Sequence, residues 1–221
     1  MTDTRQLFLE RVRQALRMGA QPGASPQIEP RGNIGYQGAG PDAAARFCQQ
    51  FTAAGGQAHP VANRAIAIDK VLELVIALDA QRILLGSGRF VDALGLHERL
   101  KLAGCDVDSV DAARDTFFAA NIGISGVDYL VAETGSLVFL ARPSEPRSLS
   151  LLPPVHIAVA SVEQIIPDLF DLFDLASVRE DGTPPSCISI ITGPSKTGDI
   201  ELKLVTGVHG PGEIHVILIA E

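Results

Sequence analysis

A chain of 221 residues with 46% hydrophobic and 20% charged residues has apolar material for one sizeable core, and its length favours one domain over two. A net charge of −8, with Lys and Arg scattered along the chain, is the wrong pattern for a nucleic-acid or anionic-membrane partner, so neither is expected. The three cysteines, Cys48, Cys105 and Cys187, lie far apart and outside any C-x-x-C, the N-terminus lacks an apolar signal core, and no run is long enough to span a bilayer; a cytoplasmic protein with reduced thiols is expected.

Leu7, Phe8, Val12, Ala15 and Leu16 recur at helical spacing, which predicts a first helix capped at Thr2 or Thr4 and stopped by Gly19. Residues 20–41 are rich in Pro and Gly and read as a linker. The division is therefore an N-terminal helix (1–20), a linker (21–41) and one domain (42–221). Within the domain, a helix from Asp42 to Ala54 stops at Gly55-Gly56. An extended piece at Ala58–Val61 precedes Asn63, a candidate N-cap for a helix over 64–79 with Ile66, Val71, Leu74, Val75 and Leu78 inward. Ile83-Leu84-Leu85 reads as a buried strand, Gly86-Ser87-Gly88 as its closing turn, and 90–102 as the next helix.

A strand at 107–110 and a helical patch to about residue 120 follow. Two apolar runs joined by Glu133-Thr134-Gly135-Ser136 predict a hairpin over 128–140. Residues 141–154 read as irregular, 155–160 as a buried strand, and Ser161 with Gln164 as a capping box. A helix to Leu175 is expected to hide Leu169, Phe170, Leu172 and Phe173, and a polar loop over 179–186 leads to the last strands. Alternating strands and helices of this kind predict a three-layer α/β sandwich with a mostly parallel sheet.

Ligands of parallel sheets gather at the carboxyl ends of the strands, and three loops are candidates to converge there. They are Gly86-Ser87-Gly88, Glu133-Thr134-Gly135-Ser136 and Gly193-Pro194-Ser195-Lys196-Thr197 with Asp199 beyond. The last is read as opening a helix near Thr197, whose free N–H groups, with the hydroxyls and the Lys196 ammonium, suit a phosphate or carboxylate; a plain N-cap is the alternative. Glu133 at a strand end is a candidate nucleophile or base, or a turn cap. Arg142 and Arg147 either clamp a carboxylate or pair with Glu145 in solvent. His209, in a glycine turn, is the better proton carrier of the pair His156 and His209. No metal-ligand spacing is present.

The runs AETGSLVFL, SLLPPVHIAV, ITGPSKTGDIE and VTGVHGPGEIHVILI, in that order, resemble the LUD domain family, also called the lactate utilization protein C or YkgG family. The resemblance covers most of the chain from about Asp42. It implies a fold like the NagB, ribose-5-phosphate isomerase and CoA-transferase group. It also implies a subunit of a bacterial iron–sulfur system that oxidises L-lactate, with the clusters held by partner subunits and none bound here directly, since the chain lacks a C-x-x-C-x-x-C run. Two functions fit: a non-redox subunit that binds a small anion or organises the lactate-oxidising complex, or an enzyme of the CoA-transferase or 5-formyltetrahydrofolate cyclo-ligase type, with Glu133 as acid, base or nucleophile and the Ser195–Thr197 loop holding phosphate or carboxylate.

Overall fold

Side-chain caps and apolar spacing decide where the helices of this chain begin and which face they bury. The computed structural model describes residues 2–19, 40–142, 145–176, 185–200 and 203–221. The first helix, α1 (Thr2–Gly19), is a unit of its own; it contains both threonines expected as its cap, and Leu7, Phe8 and Leu16 on it are exposed. The expected linker lies, save for its last residues, outside the described residues, as does most of the polar loop at 179–186.

The domain continues with α2 (Ala43–Ala53), β1 (Gln57–Val61), α3 (Arg64–Ala77), β2 (Arg82–Leu85), α4 (Arg89–Asp92), α5 (Leu96–Leu102), β3 (Asp106–Ser109), α6 (Arg114–Ala119) and β4 (Ile122–Ser125). Then come β5 (Tyr129–Val131), β6 (Ser136–Leu140), α7 (Arg147–Leu151), β7 (Val155–Ser161), β8 (Ile165–Ile166), α8 (Leu169–Ala176), β9 (Ile188–Ile191), β10 (Lys196–Ile200), β11 (Lys203–Thr206) and β12 (Glu213–Ile219). Asp42 caps α2 by accepting from the Ala45 N–H at 2.9 Å, and Asn63 caps α3 by accepting from Ile66 at 3.0 Å. The Ser161–Gln164 capping box is present, closing a 3-10 turn. Gly95, at a φ of 59°, splits the helix expected over 90–102 into α4 and α5. Residues 147–151, expected to be irregular, form α7.

Six strands form one sheet in the order β1-β12-β7-β4-β2-β3, every neighbouring pair parallel. One face carries Ile83, Leu85, Ile122, Ile124, Ile157, Val159, Ile217 and Ile219 against Val71 and Val75 of α3 and Leu96 and Leu100 of α5. The other carries Ala158, Ala160, Ile214, Val216 and Leu218 against Phe47 and Phe51 of α2. Both phenylalanines are fully buried, and each such ring contributes on the order of 2–3 kcal/mol by leaving water.

The α/β architecture with a parallel sheet matches the expectation. The hairpin is the refinement: β5 and β6 pair antiparallel but belong to a second sheet, β8-β5-β6-β9, that overlies the first. Its strands are apolar on both sides, which explains the placement. Leu130 and Leu137 pack toward the large sheet, while Val131, Val138 and Leu140 pack toward Leu172 of α8.

Two helix faces differ from expectation. The buried stripe of α3 is Ala67, Val71, Leu74 and Val75, so Ile66, a residue out of phase, is 45% exposed. On α8 one narrow stripe faces inward at Leu172, leaving Phe170 and Phe173 exposed. No helix among the described residues is long and apolar enough to cross a membrane.

The β5–β6 turn is where glycine is indispensable. Gly135 has a φ of 65°, and a Cβ there would lie 2.1 Å from the Phe51 nitrogen and 2.4 Å from the Gln50 carbonyl carbon, both backbone atoms of α2. Gly104 shares the positive φ, at 89°, but has nothing within 4 Å. Gly135→Ala is therefore expected to cost about 3 kcal/mol or more in urea unfolding, and Gly104→Ala about 1 kcal/mol. Equal losses would sink this account of the turn.

Candidate functional site

The residues named from sequence divide between two opposite edges of the large sheet. Gly86-Ser87-Gly88 follows the carboxyl end of β2, where the Gly86 N–H donates to the Ile124 carbonyl at 2.8 Å. The other two loops meet at the amino edge. Ser195 N–H donates to Pro211 and Gly212 N–H to Pro154, just before β12 and β7 begin, each at 2.9 Å. Convergence of all three loops is thus corrected: β9 and the β5–β6 turn belong to the second sheet, whose strands run to their own ends.

At the amino edge the loops grip the last turn of α2. Hydroxyls of Thr134, Ser136 and Thr192 form a chain with spacings of 2.6 and 2.7 Å. Gly193, at a φ of 75°, lets the backbone press on Ala54; a Cβ would sit 2.5 Å from the Ala54 oxygen. Pro194 lies against Gly55, and the Lys196 ammonium donates to the Ala54 carbonyl at 2.6 Å. A cation on the carbonyl end of a helix satisfies an orphan acceptor and opposes the dipole. The helix expected near Thr197 is instead β10, in which Lys196 faces Thr206, Thr197 faces Val205, and Asp199 lies one residue before the end. Its residues pair with a neighbouring strand, so the N–H groups of a helix terminus do not arise there. Ser195, Lys196 and His209 do line one depression with Thr192, Gly193 and Ser150, and the Ser195 hydroxyl accepts from the exposed His209 N–H at 3.4 Å. Glu133 stands half-buried at the hairpin, its N–H donating to the Pro167 carbonyl at 3.0 Å.

A smaller cavity opens nearer the carboxyl edge, lined by Ser125, Phe139, Ala141, Glu145, Arg147 and Ser150 among others. Ser125 ends β4, and its Oγ lies 2.9 Å from Nε2 of His156 on β7. His156 is wholly buried, with the Phe139 ring tilted against it at 5.6 Å. Burial, then the nearby His215, pushes its pKa down to about 3, so the ring is neutral at ordinary pH. Its Nδ1 has no hydrogen-bond partner among the described residues. A neutral imidazole beside a serine hydroxyl can accept that proton or leave it free to donate to a bound group.

Glu145 enters the same cavity between two glycines. Its Oε1 accepts from the Gly126 N–H at 3.2 Å, and a Cβ on Gly88 would stand 3.4 Å from that oxygen. Burial raises the Glu145 carboxyl pKa, Arg142 opposes the rise, and Asp128 adds to it. Arg142 bonds Asp128 and lies 3.7 Å from Glu145, so it serves this half-buried acidic pair and does not join Arg147 in a clamp. Arg147 stands exposed at the start of α7, with no ion-pair partner among the described residues. The cavity thus combines a cation at its rim, a carboxyl whose pKa burial raises, a serine–imidazole pair and the apolar Phe139, Ala141 and Leu149.

The LUD domain family matches residues 44–219. The chain belongs to the LUD domain family. Lactate utilization protein C of Bacillus subtilis (strain 168) is 39% identical over 104 residues, 46% of this chain and 43% of the relative. Lactate utilization protein C of Anoxybacillus flavithermus is 32% identical over 162 residues, 72% of each chain. The matched segment spans less than half the length of the Bacillus relatives. A crystal structure of a DUF162 family protein from Deinococcus radiodurans shares the fold, with a TM-score of 0.60 at 22% identity, covering 80% of this chain and 96% of that one.

Of the LUD domain's cavity residues, Glu145 and Arg147 appear in the sequence reading only as a pairing and a clamp, and Ser125 is absent from it. A lone serine at a strand end carries no local signal; only the β4–β7 register brings it to His156. Among the described residues, no group of three or more His, Cys, Asp or Glu is placed to hold a metal.

Because the folded state disfavours protonated His156, its contribution is intact above an unfolded pKa of 6.5 and is lost as pH falls below that value toward about 3. Stability at about pH 5 is expected to be about 2 kcal/mol lower than at about pH 7.5 from this ring alone. Urea unfolding of His156→Gln should show a pH slope shallower by that amount; an unchanged slope would refute the assignment.

Proposed function

We propose that this LUD domain chain serves lactate utilization as a component that holds a short carboxylate, carrying no iron–sulfur cluster and working with partner subunits that do. The carrying observation is the cavity in which the Arg147 cation, the half-buried Glu145 carboxyl and Ser125 surround an apolar wall. A guanidinium at the rim suits the carboxylate of a 2-hydroxy or 2-oxo acid; the cavity itself measures about 10 Å³, room for one water, so the acid binds only as the exposed Arg147 side moves outward from Phe139 and Leu149. Ser125 and Glu145 are then the groups positioned to hydrogen-bond the 2-oxygen, with Glu145 able to carry the proton. The relatives' name, lactate utilization protein C, supports the pathway, and the Gly86–Gly88 turn supports the placement, since ligands of parallel sheets sit at that edge. The amino-edge residues Ser195, Lys196 and His209 are a second place for an anion in this reading. The three separate cysteines support the absence of a cluster.

L-lactate or pyruvate at about a hundred times Kd is expected to stabilise the chain by about 2.7 kcal/mol, seen as a rise in melting temperature. Arg147→Gln should weaken that binding about tenfold or more, whereas Glu133→Gln should leave it unchanged. No shift with either acid, or an equal shift in Arg147→Gln, would refute the carboxylate site. Should Glu133→Gln abolish a turnover that the wild type shows while binding persists, the transferase-type alternative gains instead.

A further inference from the structure

On the opposite face of the large sheet from the cavity, three side chains form a hydrogen-bonded line that the proposed function does not use. Glu213 Oε1 lies 2.9 Å from Nε2 of His215, and Nδ1 of His215 lies 3.0 Å from Nε2 of His59. The imidazoles stack with centroids 5.3 Å apart and planes 16° apart. His215 is only 2% exposed, while His59 is half-buried. The line joins β1, the outer strand, to its single neighbour β12.

We propose that the Glu213–His215–His59 line is a proton-operated latch that holds the amino end of β1 closed with one hydrogen between two imidazoles and releases it when both rings are protonated. The geometry sets the order of events. With Glu213 ionised, His215 spends its Nε2–H on that carboxylate and offers Nδ1 as an acceptor, so the hydrogen between the rings belongs to His59 Nε2. A first proton from solvent goes to Nδ1 of His59, which leaves both bonds intact. A second has only Nδ1 of His215 left to occupy; that removes the acceptor, breaks the 3.0 Å bond and stacks two cations. In the open strand both rings face water and take their protons freely.

The charges around the line decide how far this goes. Glu213 on β12 favours a protonated His215, and Gln57 on β1 shares that carboxylate at 2.8 Å. From α3, Lys70 opposes and Glu73 favours protonation of His59, and these two pair with each other at 2.6 Å. From β7, on the far face, neutral His156 adds no charge. Burial lowers the pKa of both relay rings as the first cause.

β1 is suited to such release. It has five residues, is bonded on one side, and contains Pro60, which has no N–H to donate. Its amino end follows Ala54, the residue gripped by Lys196 and Gly193. Release there would loosen the 192–196 loop, tying acidification to the amino-edge depression and not to the Glu145 cavity.

Amide hydrogen exchange of the full chain, corrected for intrinsic rates, tests this. Between about pH 7 and pH 5, peptides spanning β1 should lose protection about tenfold or more, because each linked proton raises opening up to tenfold per pH unit. His59→Gln, whose amide can still donate to His215 but cannot titrate, should flatten that dependence. Wild-type β1 protection that does not fall over this range would overturn the latch, as would an undiminished pH dependence in His59→Gln.

Discussion

The close approach of backbone to backbone at the carboxyl end of α2 is the constraint on which much of this structure depends. Gly135 lies against Gln50 and Phe51, Gly193 lies against Ala54, and the Lys196 ammonium rests on the Ala54 carbonyl. Together these contacts dock the second sheet onto the helix whose Phe47 and Phe51 cover the large sheet. A Cβ at either glycine would drive the layers apart, and interiors at native packing density have no slack to absorb that. The hydroxyl chain Thr134–Ser136–Thr192 satisfies the polar groups that such an approach would otherwise strand.

That docking also separates two kinds of chemistry. The amino edge becomes a structural joint with a shallow polar surface. The cavity toward the carboxyl edge keeps its buried Ser125–His156 pair away from water, with the half-buried Glu145 carboxyl beside it. Neutral His156 is the cheaper state there, because an imidazolium would be stranded without a carboxylate beside it. The acidic groups nearest the cavity, Asp128 and Glu145, are instead answered by Arg142.

Much of the fold was legible. Caps at Asn63 and Ser161, the β5–β6 turn and the parallel-strand grammar are local features, and the structure contains them. What was not legible depends on partners distant in sequence. Lys196-Thr197 reads as a helix start because Ser, Lys and Thr suit one, yet pairing with β11 decides otherwise. Lys196 reads as an anion ligand, and only the approach of residue 54 shows a carbonyl waiting for it. Ser125 and His156 are 31 residues apart, and nothing local joins them.

The two outer strands of the large sheet also have a bearing on how the protein survives in solution. A parallel sheet ends in rows of unpaired backbone groups that invite another chain to add itself. Here one border, β1, is interrupted by Pro60, and the other, β3, is four residues long with Asp106 and Asp108 along it. A ring without a donor at one border and two carboxylates at the other discourage strand addition. A core built so heavily from Val, Ile and Leu can therefore remain dispersed, its aggregation-prone strands shielded by the two least sticky ones.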